Sequence, residues 1–343
     1  DVRLEGHAIE VRLYAEDPDT DFLPSTGRAL LWHPPSGAGI RVDAGLETGG
    51  EISPFYDPMV AKIIAHGASR EDARRRLVRA LQGTALFGPK TNRDFLIDAL
   101  QREAFVRGEA TTAFIGETYG ETGFASAAPR LAELCGAAVP QRRLGRARAP
   151  GEAPDVSAEL LGWSSAEGLP SVVEYAEGAL SLTLEVHGRG GDAYEVRGGE
   201  RPVAVRVREM HAPRARLVVD GEAIDAIFAD AGSGVLHLAT PMLGFSVTDL
   251  SRATAAAGDE GGGGTVTAPM HGRLLDILVR EGARVAKGDP LAVLEAMKMQ
   301  HHIVAEVDGI VTSVVATAGV QIAADDLILE ITPDEDAATA PDT

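Results

Sequence analysis

The chain has 343 residues, 45% of them apolar and 24% charged, enough for two or three domains with cores of their own. Lys and Arg number 32 against 51 Asp and Glu, and a formal net charge of -19 repels phosphate backbones and anionic lipid surfaces at long range. No nucleic acid and no membrane are therefore expected as partners, and no run of about 18 apolar residues is available to span a bilayer.

The single cysteine, Cys135, excludes an internal disulfide framework and a multi-cysteine zinc site. It lies in the apolar stretch from Leu131 to Val139 and reads as a buried thiol in a reducing compartment. The text opens at Asp1 on a strand-like Gly6-His7-Ala8-Ile9-Glu10-Val11-Arg12-Leu13, without a basic-then-apolar leader. The expectation is a cytoplasmic protein, or one of the mitochondrial matrix if eukaryotic, from which an upstream part has been removed.

Residues 1–118 read as short strands and loops followed by two helices. Ser69 stands ahead of Glu71 and Asp72, and Ala73, Leu77, Val78 and Leu81 recur at helical spacing, which makes Arg74-Arg75-Arg76 a solvated helix face. Thr91 followed by Asp94 reads as a capping box opening a second helix, with Phe95, Leu96 and Leu100 as its apolar stripe. Residues 119–154 shift to Ala, Gly, Pro and Arg, with Gln141-Arg142-Arg143 and Ala149-Pro150-Gly151, and read as a poorly packed linker. From 155 to 250 the alternation is that of strands: Leu180, Leu182, Leu184 and Val186 share one face, and Val203, Val205 and Val207 another. Asp220-Gly221 supplies the two positive φ angles of a tight hairpin, and such closely spaced strands predict a barrel or sandwich with Trp163, like Trp32 earlier, as a core filler. Residues 251–264 are too poor in side chain to repay ordering and read as a flexible tether, with a span of about 20 Å from a flexible-chain estimate. A last ordered domain covers 265–333, and 334–343 read as a disordered tail.

That last domain holds an internal duplication. Laying Gly272 on Gly309 also brings Gly282 onto Gly319, Val285 onto Ile322, Asp289 onto Asp326, Leu291 onto Ile328 and Leu294 onto Ile331. Two similar β units, each turning at a glycine, predict a small pseudo-symmetric flattened barrel. Midway between them stands Glu295-Ala296-Met297-Lys298-Met299-Gln300, which reads as the joining hairpin with Lys298 at its exposed tip. His301 and His302, adjacent on a strand, point to opposite faces and make a poor metal pair, so no metal is expected.

Ala268-Pro269-Met270, Gly272, Glu281-Gly282, Gly288-Asp289 and Glu295-Ala296-Met297-Lys298-Met299 closely resemble a biotin carboxyl carrier domain, a flattened β-barrel of the barrel-sandwich type. The resemblance implies that Lys298 is the residue a biotin protein ligase acylates, flanked by Met297 and Met299 as an adaptable apolar recognition surface. The lipoyl carrier is similar in fold, but there the lysine usually follows an aspartate. His271 departs from the proline common at that position, which puts only the local turn in doubt.

Gly6-His7-Ala8-Ile9-Glu10-Val11-Arg12, Ala15-Glu16-Asp17-Pro18, Phe22-Leu23-Pro24-Ser25-Thr26-Gly27, Tyr56-Asp57-Pro58-Met59 with Lys62, and Thr91-Asn92 resemble the C-terminal subdomain of biotin carboxylase. In Gly39-Ile40-Arg41-Val42 that resemblance makes Arg41 the arginine that contacts biotin, a permanent cation facing the negative charge that develops on the ureido oxygen. Its alternative is a surface ion pair with Asp43. The ATP-binding loop, the metal-binding acids and the general base of that family belong upstream, so ATP and Mg are expected only through a part absent from this chain, which alone should neither hydrolyse ATP nor carboxylate biotin. The middle region resembles the β-barrel domain that docks the alpha subunit of an acyl-CoA carboxylase on its beta partner.

The resemblance implies a multidomain chain of α+β and all-β parts from the alpha subunit of such an enzyme. Its partners would be a carboxyltransferase beta subunit, a biotin protein ligase and, through the beta subunit, an acyl-CoA. Methylcrotonoyl-CoA or geranyl-CoA is the favoured substrate, with propionyl-CoA and acetyl-CoA open. The alternatives are a non-catalytic carrier and docking module, and the carrier of a biotin-dependent decarboxylase.

Overall fold

The structure is a computed structural model that describes residues 3, 5–152, 169–177, 180–232, 234–250, 264–269, 271–296, 299–323 and 326–333. It is multidomain and mostly β, with a closed eight-stranded barrel that follows one unit in the chain and precedes another. The expectations for Trp163, for most of the tether at 251–263 and for the tail at 334–343 lie outside the described residues.

In the first unit β1 (His7–Tyr14), β2 (Ile40–Ala44) and β3 (Met59–Gly67) form an antiparallel sheet with β3 in the middle. Helix α1 (Arg70–Gln82) lies on the sheet because Ala73, Leu77, Ala80 and Leu81 share one side and are buried. The Ser69 side chain accepts the Asp72 N–H, so the N-cap is where the sequence places it. Leu77 and Leu81 pack with Val11, Ile63, Ala65, Ile97 and Leu100, while Trp32 fills a second cluster with Leu13, Val60 and Leu86, the last on strand β4 (Ala85–Phe87).

The second helix corrects one expectation. Helix α2 (Arg93–Gln101) has Asn92 at its cap position without a side-chain cap bond, and Thr91–Asp94 forms no capping box. Asn92 is drawn away by the sheet: its Oδ1 accepts the Tyr14 N–H at 3.0 Å and its Nδ2 donates to Arg12 O at 3.3 Å. Asp94 is held instead by Arg93 and by Gly244 of the barrel.

A larger correction concerns the linker expected over 119–154. Leu131–Glu152 form one helix, α3, whose residues Leu134, Cys135, Ala137, Ala138 and Val139 join the core of the barrel. Their small side chains let the helix come close to the strands, and a methyl at Gly136 would touch Val219 Cγ2 at 3.5 Å. Gln141, buried in the same helix, accepts the Tyr175 hydroxyl at 2.5 Å and donates to Gly234 O at 2.6 Å, so its amide is satisfied inside the barrel. Burial pushes the Cys135 thiol up to about 11. The linker reading failed because glycine, proline and arginine weaken a helix in water, whereas here the barrel supplies the packing.

The barrel strands are β5 (Ser171–Glu177), β6 (Leu180–Gly188), β7 (Ala193–Arg197), β8 (Val203–His211), β9 (Arg214–Val219), β10 (Glu222–Gly232), β11 (Val235–Ala239) and β12 (Gly244–Asp249), each antiparallel to the next. The ring closes where Tyr175 faces Asp249. Val203, Val205 and Val207 point inward and alternate with exposed residues, as the period of two requires. Asp220 and Gly221 take φ of 49° and 89° between β9 and β10, the paired positive values of the expected tight hairpin.

Candidate functional site

The last unit is built from two four-stranded sheets. Its first half supplies β13 (Thr265–Thr267), β14 (Gly272–Ile277), β15 (Arg284–Val285) and β16 (Pro290–Ala296), and its second half β17 (Met299–Val304), β18 (Gly309–Val314), β19 (Gln321–Ile322) and β20 (Leu327–Pro333). One sheet runs β13-β20-β18-β15 and the other β17-β16-β14-β19, so each contains two strands from each half.

The hydrogen bonds repeat with the sequence. Gly282 N donates to Val311 O at 2.8 Å and Gly319 N to Leu274 O at 2.6 Å; Ala305 N donates to Asp289 O at 2.9 Å and Ala268 N to Asp326 O at 2.9 Å. Asp289 Oδ2 accepts Ala286 N at 2.8 Å and Asp326 Oδ2 accepts Ala323 N at 2.6 Å, so the duplicated aspartates close equivalent turns. Gly282 and Gly319 have φ of 81° and 88°, which a side chain would strain. At Gly272 a Cβ would lie 2.7 Å from Glu295 O, and at Gly309 it would lie 2.3 Å from Thr332 O, so the same strand approach excludes a side chain in both halves. Between the sheets Leu274, Leu291, Leu294, Ile328 and Leu329 are fully buried. Gly264, expected to end the tether, belongs to this unit, because its carbonyl accepts Ile331 N at 2.6 Å.

Strands β16 and β17 pair from Pro290↔Val304 to Glu295↔Gln300 and Ala296↔Met299. Two residues, Met297 and Lys298, connect the paired ends, and Gln300 beside them is exposed. Met297 and Lys298 themselves, and the side chain of Met299, lie outside the described residues, as does the expected exposed tip. Further along β17, His301 is half-buried and His302 exposed, and burial lowers the pKa of His301 while Asp21 of the first unit raises it. Leu23 of the first unit packs against the core of the last one, a contact that no local pattern announces.

Arg41 stands far from this connection in sequence and on another unit, at the outer strand β2. Its side chain is 73% exposed and its Nε donates to Asp43 Oδ1 at 2.9 Å. That bond holds the Asp43 carboxyl below its usual range and raises the guanidinium. Of the two sequence readings of Arg41, the surface ion pair with Asp43 is the arrangement present among the described residues.

Residues 10–117 match the family described as Biotin carboxylase C-terminal domain, and residues 264–331 that described as Biotin-requiring enzyme. The chain carries a biotin carboxylase C-terminal domain and a biotin-lipoyl domain. Along most of its length it is similar to alpha subunits of acyl-CoA carboxylases. It is 30% identical over 365 residues to the propionyl-CoA carboxylase alpha chain of Ruegeria pomeroyi, covering 96% of this chain and 52% of that one. To the mitochondrial methylcrotonoyl-CoA carboxylase subunit alpha of Dictyostelium discoideum it is 28% identical over 328 residues, covering 91% of this chain and 46% of the relative. Over 123 residues it is 43% identical to biotin carboxylase 1 of Bacillus subtilis, covering 36% of this chain and 27% of that one. The chain thus spans about half the length of its acyl-CoA carboxylase relatives. The biotin-lipoyl domain is a carrier of covalently bound biotin, and the biotin carboxylase C-terminal domain precedes it in the chain.

Proposed function

We propose that this chain is the carrier-bearing part of a biotin-dependent acyl-CoA carboxylase alpha subunit, with biotin on Lys298. When attached, biotin would supply a carboxyl group held on a mobile arm. Strands β16 and β17 pair up to Ala296 and Met299, which flank Met297 and Lys298 in the sequence, so an arm on Lys298 would travel with that unit. Travel is needed because an arm of one side chain plus biotin is short compared with the separation of two active sites on different domains. Residues 251–263 join carrier to barrel, and tethering would keep biotin at ~mM local concentration near both sites.

Arg41 takes the part of a fixed cation. It lies on an outer strand, where an upstream ATP-binding part could close over it, and a guanidinium keeps its charge at any working pH. In such a closed site it would exchange Asp43 for the developing negative charge on biotin, with ATP and Mg held upstream. The barrel would dock a carboxyltransferase beta subunit that binds the acyl-CoA, and a biotin protein ligase would load Lys298. The cytoplasm, or the mitochondrial matrix in a eukaryote, suits these partners. Methylcrotonoyl-CoA or geranyl-CoA is the preferred substrate.

The observation that carries this reading is the reciprocal pairing of the two halves, with Lys298 in the short connection between them. Mass spectrometry of the chain co-expressed with a biotin protein ligase tests it. The expected result is a gain of one biotinyl group, absent in Lys298→Arg; an unmodified parent chain, or a variant still modified, overturns it.

A further inference from the structure

Where the first unit meets the barrel, the seam carries a buried charge. Arg93 opens α2, yet its side chain is only 6% exposed. Its Nε donates to Leu81 O at 2.9 Å, Nη2 to Thr240 O at 2.6 Å and to Gln82 O at 3.3 Å, and Nη1 to Asp94 Oδ1 at 2.7 Å. Leu81 and Gln82 end α1, where terminal carbonyls have no partner within the helix. Thr240 lies in the connection between β11 and β12, and the second oxygen of Asp94 accepts Gly244 N at 2.9 Å where β12 begins. One ion pair therefore ties the end of α1, the start of α2 and a barrel turn together.

Apolar contacts surround it. Phe87 stacks on His237 with ring centroids 5.6 Å apart and 16° between planes, and it clusters with Ala85, Ile227 and Ala239. Such contacts are non-directional and would tolerate sliding. A buried guanidinium would not: a shift of a few ångströms leaves Arg93 desolvated without its acceptors, so only one relative placement satisfies it.

We propose that the Arg93–Asp94 pair locks the first domain and the barrel into one rigid body, and that Arg93 is thereby a positioning residue for the carrier. Strand β12, gripped at Gly244, is the strand whose far end at Asp249 leads into residues 251–263 and on to the carrier. Fixing that strand fixes the point from which the reach of the carrier is measured. This last consequence rests on the carrier reading of Lys298; the lock does not.

The test is the distance between nitroxides on Arg75→Cys of α1 and Arg206→Cys of the barrel, both exposed positions, measured by pulsed dipolar spectroscopy on the whole chain. Cys135 is buried and stays unlabelled. The parent is expected to give one narrow distance distribution, and Arg93→Met a distribution at least twice as broad with an unchanged near-ultraviolet spectrum. A broad parent distribution, or a parental width in a folded Arg93→Met, overturns the lock. Should Arg93→Met fail to fold, Asp94→Asn, which keeps the shape of the site, is read the same way, and a parental width there overturns the lock. In the assembled biotinylated enzyme, Arg93→Met is expected to slow carboxyl transfer through Lys298 several-fold while carboxylation of free biotin is unchanged; equal loss of both overturns the positioning role. Failure of the carrier reading shows separately, as absence of the biotinyl mass.

Discussion

Replacing Gly309 by alanine places a carbon where the second half of the carrier has no room for one. The added Cβ would lie 2.3 Å from Thr332 O and 2.7 Å from Ile331 Cγ2, whereas at Gly272 it would lie 2.7 Å from Glu295 O and 3.0 Å from Leu294 Cγ and Cδ1. Carbon and carbonyl oxygen rarely approach closer than about 3.3 Å, so the facing strand must retreat by about 1 Å at Gly309 and about 0.6 Å at Gly272. Ile331 is β-branched and buried, and the Thr332 carbonyl belongs to a strand paired with β18, so neither gives way freely. Overpacking of this kind costs about 1–3 kcal/mol, the upper end at Gly309 and the lower at Gly272. For a domain of this size those costs translate to roughly 12–24 °C and roughly 4–8 °C in Tm. Calorimetry of the whole chain, with the carrier transition identified by hydrogen exchange in 265–333, reads both shifts. If Gly272→Ala costs as much as Gly309→Ala, or neither moves the transition, the close-approach account of the duplicated glycines is wrong.

Three further outcomes follow from the same structure. Because burial pushes Cys135 up to about 11 from an ordinary 9.0, the unfolded chain gives up the thiol proton first, and the barrel loses stability as pH rises from 9 through about 11; urea melts of Cys135→Ala should lack that part of the slope. At the seam, burial lowers the pKa of His237, and burial with Arg214 lowers that of His33. The unfolded chain therefore binds more protons below about 6.5, so stability present above that pH is lost as pH falls, and His237→Phe should flatten the acid limb of a melting-temperature profile. Arg41→Gln should leave the melting temperature of the first domain in place, since its exposed pair with Asp43 adds little, yet abolish biotin carboxylation in the full-length enzyme. A full-length variant with normal activity would remove Arg41 from the site.

The parts legible in the sequence were those governed by local rules. Ser69 caps its helix, Asp220-Gly221 turns its hairpin, and the 37-residue offset between Gly272 and Gly309 reappears as matching hydrogen bonds. What escaped was decided by partners distant in the chain. Residues 131–152 look like a linker because a helix containing Gly136, Pro140 and Gly145 is weak by itself, and only the barrel around it makes it stable. Thr91 and Asp94 fit a capping box, but the cap position falls on Asn92, whose side chain Tyr14, 78 residues earlier, takes. Arg93 looks like an exposed residue in a helical first turn, and nothing local announces that Thr240 will accept from it. For the candidate site the motif around Lys298 was readable, whereas Arg41 pairs with Asp43 two residues on, an exposed contact that by itself announces no ligand.

The alternation of halves within each carrier sheet has a consequence for how such a unit could arise. A chain with a single repeat would own two strands of each sheet and leave the others unfilled, exposing its leucines to water. Two identical copies would complete one another about a dyad. The carrier is thus architecturally a homodimer made continuous, and a peptide of one repeat expressed alone is expected either to remain unstructured or to self-associate in pairs.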